Sequence, residues 1–293
     1  MIVQKGLVSI GLPTHNGSFR LRKALNSLLS QKYTAIEIII SDNASSDKTR
    51  KVCQEFAKKD KRLVYLIQNK NIGMMNNFYL VLQKARGEYF MWAADDDWWD
   101  KNFILKLKTA LDKHLDYGVA MSSTVRIYEN GEERDRITFS GKNNLTKFGH
   151  FQLFVRMIKG DPIHIFIYGL FRTKVLRNLT RRPFPKCMAA DRVFMCQAAL
   201  ITRFYSIGDF LYVRRVYKKP IIQRYKNSSI GDEWSNPKRN SKYLMTLFKF
   251  LMTSNIIPFY RKLWFVPCWL LLIWRSRNRL ASELSQVYFS ENN

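Results

Sequence analysis

The feature that most constrains this chain is an alternation. Between residues 7 and 123, short apolar runs take turns with stretches of helical period. "LVSIGL" (7–12), "AIEIIIS" (35–41), "RLVYLIQ" (62–68), "GEYFMWAA" (87–94) and "YGVAMSS" (117–123) read as strands. The second is nearly continuous in β-branched residues, as a strand buried on both faces should be. Between them, Leu21, Leu25, Leu28 and Leu29 fall at helical spacing behind Ser18, a candidate N-cap. "DKTRKVCQEFAKK", "IGMMNNFYLVLQKA" and "DKNFILKLKTALDKH" read as further helices. Strand and helix in regular succession predict an α/β fold, a Rossmann-like three-layer sandwich around a mostly parallel central sheet.

Such sheets bind ligands at the carboxyl ends of their strands. The polar clusters lie there: "PTHN" after the first strand, "SDNASSD" after the second, "NKN" after the third and "DDDWWD" after the fourth. Three adjacent carboxylates repel one another, and burying them without a cation is costly. The apolar strand before them and Trp98-Trp99 after them argue against a freely solvated loop. Oxygen ligands with no nearby histidine favour Mg²⁺ or Mn²⁺ over zinc. An acidic helix start accounts for Asp100, but poorly for Asp95, Asp96 and Asp97. No Walker A sequence and no G-x-G-x-x-G is present, so a nucleoside diphosphate would be held by the metal and by polar loops. Asp42 is placed to accept a hydrogen bond from an imide N–H such as that of uracil. Asn16 and the backbone of Pro13-Thr14 sit at the neighbouring strand end. Asp47 reads as the cap of the following helix.

Beyond residue 123 the pattern loosens. "VRIYENGEERDRITF" reads as a hairpin turning at Asn130-Gly131, "YGLFRTKVLRN" as a strand entering a helix, and "AADRVFMCQAALITRF" as an amphipathic helix. Residues 216–240 read as loop. From 241 onward the chain is helical and apolar, broken at Pro258 and Pro267. The charge shifts too. Residues 1–139 hold 22 Lys+Arg against 16 Asp+Glu, whereas residues 140–293 hold 27 against 7. A cationic half of this kind suits anionic lipid, nucleic acid or a polyanionic substrate. Only 12 uncharged residues lie between Lys262 and Arg275, short of the roughly 20 that span a bilayer. A buried core helix is one reading. The preferred one is an interfacial segment, with tryptophans at headgroup depth and Arg275, Arg277 and Arg279 on anionic lipid. The four cysteines form no C-x-x-C pair, which argues against a zinc site and a disulfide framework and suits a reducing compartment. The N-terminus does not read as a signal peptide.

The ordered motifs Pro13–Asn16, Asp42–Asp47, Asn71/Gly73/Asn77, Gly87–Phe90 and Asp95–Trp99 together resemble family 2 glycosyltransferases of the GT-A fold. The likeness is dense over about residues 6–125 and weaker to about 217. It implies a GT-A domain with a nucleotide-sugar-binding half at 1–125 and an acceptor-binding half at 126–217; the charge and apolar pattern beyond it predict a helical, basic, membrane-associating extension at 218–293. The resemblance implies inverting transfer of a sugar from a nucleotide donor, with UDP the expected carrier. Asp42 would read the base. Pro13, Thr14, Asn16, Asn71 and Asn77 would line the donor site. Asp95, Asp96 and Asp97 would touch ribose and a Mn²⁺ or Mg²⁺ ion that bridges the diphosphate. Relatives often place an acid where Ala94 stands, so the metal pair is Asp95/Asp97 or Asp96/Asp97, with Asp97 in both. Asp191, in "MAADRVF", would be the general base that activates the acceptor hydroxyl. Tyr217 stands where relatives often carry a histidine near the diphosphate, and Arg214 and Arg215 would face phosphate. The processive Q-x-x-R-W motif is absent, since Gln223 and Arg224 are adjacent, and this points to single-sugar addition. The expected partners are a nucleotide-sugar donor, a glycan or lipid-linked acceptor and an anionic membrane surface at the cytoplasmic face, with no nucleic acid. Two alternatives stand beside this reading. A nucleic-acid-binding protein fits the charge but leaves the aspartates unexplained. A sugar nucleotidyltransferase usually shows a Gly-rich phosphate loop after the first strand, unlike "PTHNGS".

Overall fold

In the computed structural model, which describes residues 3–185, 187–220, 223, 232, 235–236 and 238–291 (283–291 by backbone), the alternation becomes a sheet flanked by helices. In order the elements are β1 (Gln4–Thr14), α1 (Ser18–Leu29), β2 (Ile36–Asp42), α2 (Thr49–Lys59), β3 (Leu63–Ile67), α3 (Met74–Lys84), β4 (Gly87–Trp92), β5 (Trp98–Trp99), α4 (Phe103–Lys113), β6 (Tyr117–Ile127) and β7 (Glu133–Ile137). Then follow α5 (His150–Lys159), β8 (Leu170–Arg172), α6 (Thr173–Leu179), α7 (Ala190–Ile201), β9 (Arg203–Arg215), α8 (Arg239–Met252) and α9 (Phe259–Glu291). The chain forms two compact units. The first comprises Met1–Phe148, Ile165–Asn178 and Thr202–Tyr217, and the second Gly149–His164, Leu179–Ile201 and Lys218–Asn293.

The first unit holds the whole sheet, in the order β3-β2-β1-β4-β8-β6-β9-β5 with β7 paired to β6. From β3 to β4 the strands are parallel; β8 then runs antiparallel to both β4 and β6, while β6 and β9 are parallel. Every residue of β2 is buried, as its unbroken apolar run requires of a strand covered on both faces. The chain steps outward from β1 to β2 to β3, then back across β1 to β4. Right-handed crossovers therefore put α1 and α2 on one face and α3 on the other. The approach of α3 depends on Gly11 of β1. A Cβ there would lie 2.6 Å from Val81 Cγ2 and 2.7 Å from Phe90 Cζ.

Two local readings change and a third stands. Ser18 opens α1 as its first helical residue, and Gly17 holds the cap without any side-chain bond. The helix of "AADRVFMCQAALITRF" stops at Ile201, because the chain beyond it pairs with β6 as the 13-residue β9. The hairpin at Asn130-Gly131 forms as expected, with Gly131 at φ +88.

The second unit is helical. The inner faces of α5, α7, α8 and α9 meet through Phe154, Met157, Val193, Leu247 and Phe265, all fully buried. Phe154 and Phe265 pack edge to face at 5.7 Å. Pro267 does not break α9, which passes through it. The expected loop at 216–240 falls largely outside the described residues, as do the neighbours of Gln223, Arg224 included. Among the described residues no helix is long and apolar enough to cross a membrane.

Candidate functional site

The parallel strands of the first unit end together. Thr14 at the end of β1 pairs in register with Asp42 at the end of β2, and Asp42 with Ile67 at the end of β3. This rim carries two non-glycine residues in the left-handed region, Asn16 (φ 50) and Ala44 (φ 58). Asn16 Oδ1 accepts from the Ser46 N–H at 2.9 Å, so the loops after β1 and β2 hold each other. Asp42 is fully buried. Its Oδ1 accepts from the Ser45 N–H at 2.9 Å and its Oδ2 from the Tyr65 hydroxyl at 3.0 Å. Pro13 is buried in β1. Asn71 Oδ1 accepts from Asn43 Nδ2 and from the Gly73 N–H, which fixes the entry to α3. Asn77 is 2% exposed and donates to the Ser41 carbonyl, tying α3 to β2.

The three aspartates diverge. Asp95 accepts from the Thr14 hydroxyl at 2.6 Å and pairs with Arg20 at 3.4 Å. Only a glycine at position 17 leaves room for this, because a Cβ there would collide with Asp95 Oδ2 and Thr14 Oγ1. Asp96 is half-buried and accepts from the Tyr217 hydroxyl at 2.6 Å. Asp97 is 2% exposed, with Oδ1 accepting from the Arg215 N–H at 2.8 Å and Oδ2 from the Tyr212 hydroxyl. Burial, then the charge of Asp96, holds the Asp97 carboxyl above the usual carboxylate range. Burial raises Asp95 as well, against the opposing pull of Arg20. Trp99 stacks on Tyr212 at 5.7 Å, and Lys23 sits 3.1 Å over the Trp98 ring.

Arg20 faces Asp95 and Asp96, Arg214 faces Asp97, and Lys23 and Arg215 lie over the adjacent Trp98 ring. Two of their buried donors, Arg20 Nε and Arg215 Nε, have no hydrogen-bond partner among the described residues. Unsatisfied guanidinium N–H groups beside a carboxylate cluster suit an anion that brings both charge and oxygen acceptors. The oxygen donor set fits a hard divalent cation. Among the described residues no three acidic, imidazole or thiol groups converge on one point. The protein would thus supply one or two carboxylates, and water and phosphate the remaining ligands, as magnesium-like ions prefer.

A family model for glycosyl transferase family 2 matches residues 9–180. The chain belongs to that family. Among curated relatives, the putative teichuronic acid biosynthesis glycosyltransferase TuaG of Bacillus subtilis is 33% identical over 122 residues, covering 41% of this chain and 46% of its own length. The chain spans less than half the length of the curated relatives it matches. Of solved structures, S. aureus TarS 1–349 in complex with UDP-GlcNAc is similar with a TM-score of 0.65 at 16% identity, over 96% of this chain and 80% of that one. The mannosyltransferase PcManGT from Pyrobaculum calidifontis, in complex with GDP-Man and Mn²⁺, gives 0.58 at 16%, over 99% and 78%. These likenesses fix the fold as GT-A.

Within this family 2 domain, the structure brings Thr14, Asn16, Asp42 and the aspartate triplet onto one rim. Asp191 belongs to the second unit. It lies half-buried in the first turn of α7, with Oδ1 accepting from the Arg192 N–H at 2.8 Å. Sequence reasoning missed Arg20, Gly17, Tyr65 and Tyr212. Arg20 looks like one of several surface cations of α1. Tyr212 becomes visible only once "FLYVRRVY" is read as a strand, and its alternation was the available signal.

Proposed function

We propose that this family 2 glycosyltransferase is a metal-dependent, inverting enzyme that moves one sugar from a UDP-sugar to a glycan or lipid-linked acceptor in surface polysaccharide synthesis. The observation that carries it is the pairing of an aspartate cluster with two partnerless buried guanidinium donors at the carboxyl ends of β1, β2 and β4. Carboxylates alone would repel a diphosphate, and arginines alone would not need three aspartates. Arg20 and Arg215 would hold phosphate oxygens. Asp97 would hold the ion together with the half-buried Asp96, or with Asp95 in its place. A divalent ion there would offset charge developing on the departing diphosphate. The Mn²⁺ in the PcManGT complex supports that choice.

The base would lie against the buried end of β2, beside Asp42 and Asn71, with Pro13, Thr14 and Asn16 at its edge and Asn77 bracing the strand behind. UDP-GlcNAc in the TarS complex supports a uridine carrier. Asp191 would take the proton of the attacking hydroxyl, since inversion requires a single in-line displacement with one base. The relation to TuaG supports a polysaccharide product. The four free cysteines suit the cytoplasmic face of a membrane, and the cationic half suits its anionic lipid. Hydrolysis or transfer of UDP-sugars in purified protein tests this. Activity should vanish with EDTA and return with Mn²⁺. Full activity in EDTA would overturn the metal role, and full activity in Asp191→Asn the base role.

A further inference from the structure

Helix α9 is amphipathic the wrong way round for a helix in water. From Phe259 to Trp274 every exposed residue is apolar or aromatic: Phe259, Tyr260, Leu263, Val266, Pro267, Leu270, Leu271 and Trp274. Phe259, Tyr260, Leu263, Leu270 and Trp274 are each more than half exposed. At 100° per residue these eight fall within an arc of about 140° along roughly 22 Å of helix. The two cations in this stretch are turned away from that arc. Arg261 donates to the Leu200 carbonyl at 2.6 Å and Lys262 to the Met252 carbonyl at 2.9 Å. Of the tryptophans, Trp269 is also held inward, donating to the Leu244 carbonyl at 3.1 Å. Phe151 of α5, exposed and edge to face with Trp264 at 5.4 Å, widens the apolar surface. Directly after Trp274 the exposed residues become Arg275, Arg277, Asn278 and Arg279, with Arg277 lying 4.6 Å over the Trp274 ring.

A contiguous apolar strip of this size on a water-soluble surface marks a contact site. We infer that α9 lies in the plane of an anionic bilayer. Phe259, Leu263, Leu270 and Trp274 enter the acyl–headgroup boundary, and Arg275, Arg277 and Arg279 meet the headgroups. This deepens the membrane placement proposed above and rests on it. Charge selects the occupant. Residues 140–293 carry 27 Lys+Arg against 7 Asp+Glu, so a second copy would bring cationic surfaces together. An anionic lipid surface satisfies both the apolar strip and the arginines at its end.

The test is co-sedimentation of the full chain with phosphatidylcholine–phosphatidylglycerol vesicles, against phosphatidylcholine alone. Partitioning should favour the anionic vesicles. It should fall about tenfold or more in Leu263→Ser/Leu270→Ser/Trp274→Ser, which removes only exposed side chains, and again in Arg275→Gln/Arg277→Gln/Arg279→Gln. Lipids brominated on the acyl chain should quench a fluorescence component that Trp274→Leu lacks. Unchanged partitioning in the serine variant would overturn the inference. So would a wild-type dimer in solution that this variant dissociates. UDP-sugar hydrolysis measured without vesicles separates this idea from the catalytic one. Docking without hydrolysis would sink the glycosyltransferase reading alone, and hydrolysis without docking would sink this inference alone.

Discussion

Asp95, Asp96 and Asp97 are consecutive, yet each answers to a different partner. Asp95 is tied to Thr14 and Arg20, Asp97 to Tyr212 and the Arg215 backbone, and Asp96 to Tyr217. The variants should therefore differ in kind. Asp96→Asn should lose UDP-sugar turnover roughly 100-fold or more while its melting temperature stays within a degree or so of wild type; equal turnover would move the ion to another carboxylate. Asp97 gives a sharper contrast. Its carboxyl is held above its unfolded pKa, so in metal-free protein its charge opposes folding once the pH exceeds that value. Asp97→Asn should thus melt no lower than wild type in EDTA at neutral pH, because an amide still meets Tyr212 and the Arg215 N–H. Asp97→Ala leaves both buried groups unpaired and should cost about 2 kcal/mol in a denaturant melt. Similar stabilities for the two variants would contradict this account of Asp97.

At the scale of elements, the loop after β2 shows how one side chain sets a helix. Asp47 accepts from the Thr49 N–H and hydroxyl and from the Ser18 N–H, so it serves the start of α2 and of α1 together. Partial burial pushes its pKa up, but these hydrogen bonds outweigh it and bring the group down to about 2. A depressed folded pKa stabilises above the unfolded value of about 3.9 and loses that contribution as the pH falls toward 2. Asp47→Ala should cost about 1 kcal/mol at neutral pH, with the gap to wild type closing in urea melts below about pH 3. A gap that persists in acid would mean that the carboxylate charge is not what matters. Legibility also divides along elements. The parallel half was readable because each strand and helix carries its own period. β9 was not readable as a strand, because its 13 residues are fixed by pairing with β6 some 85 positions earlier in the chain. Tyr212 and the Arg215 N–H were hidden with it. Pro267 misled in the other direction, since packing of α9 on its neighbours overrides a local break. The aspartate rim could be located from spacing, but the separate partners of its three carboxylates depend on tertiary contacts.

At the scale of the whole molecule, the chain gathers three adjacent carboxylates where a metal–diphosphate would sit and concentrates positive charge after residue 139. In the proposed function the two features would be complementary, one for the anionic donor and the other for the anionic surface where the acceptor would be found. A protein that merely bound nucleic acid would need the second and not the first. Ligand-induced stabilisation separates them, because a ligand that binds only the folded state raises stability in proportion to the logarithm of its concentration over Kd. The most direct measurement is the thermal melt of the purified chain with UDP-, GDP- and dTDP-sugars, each with Mn²⁺ and with EDTA. The account predicts a concentration-dependent rise with the UDP-sugar and Mn²⁺ that EDTA removes and Asp96→Asn lacks. No shift with any nucleotide sugar, alongside a salt-sensitive shift with random DNA, would contradict it.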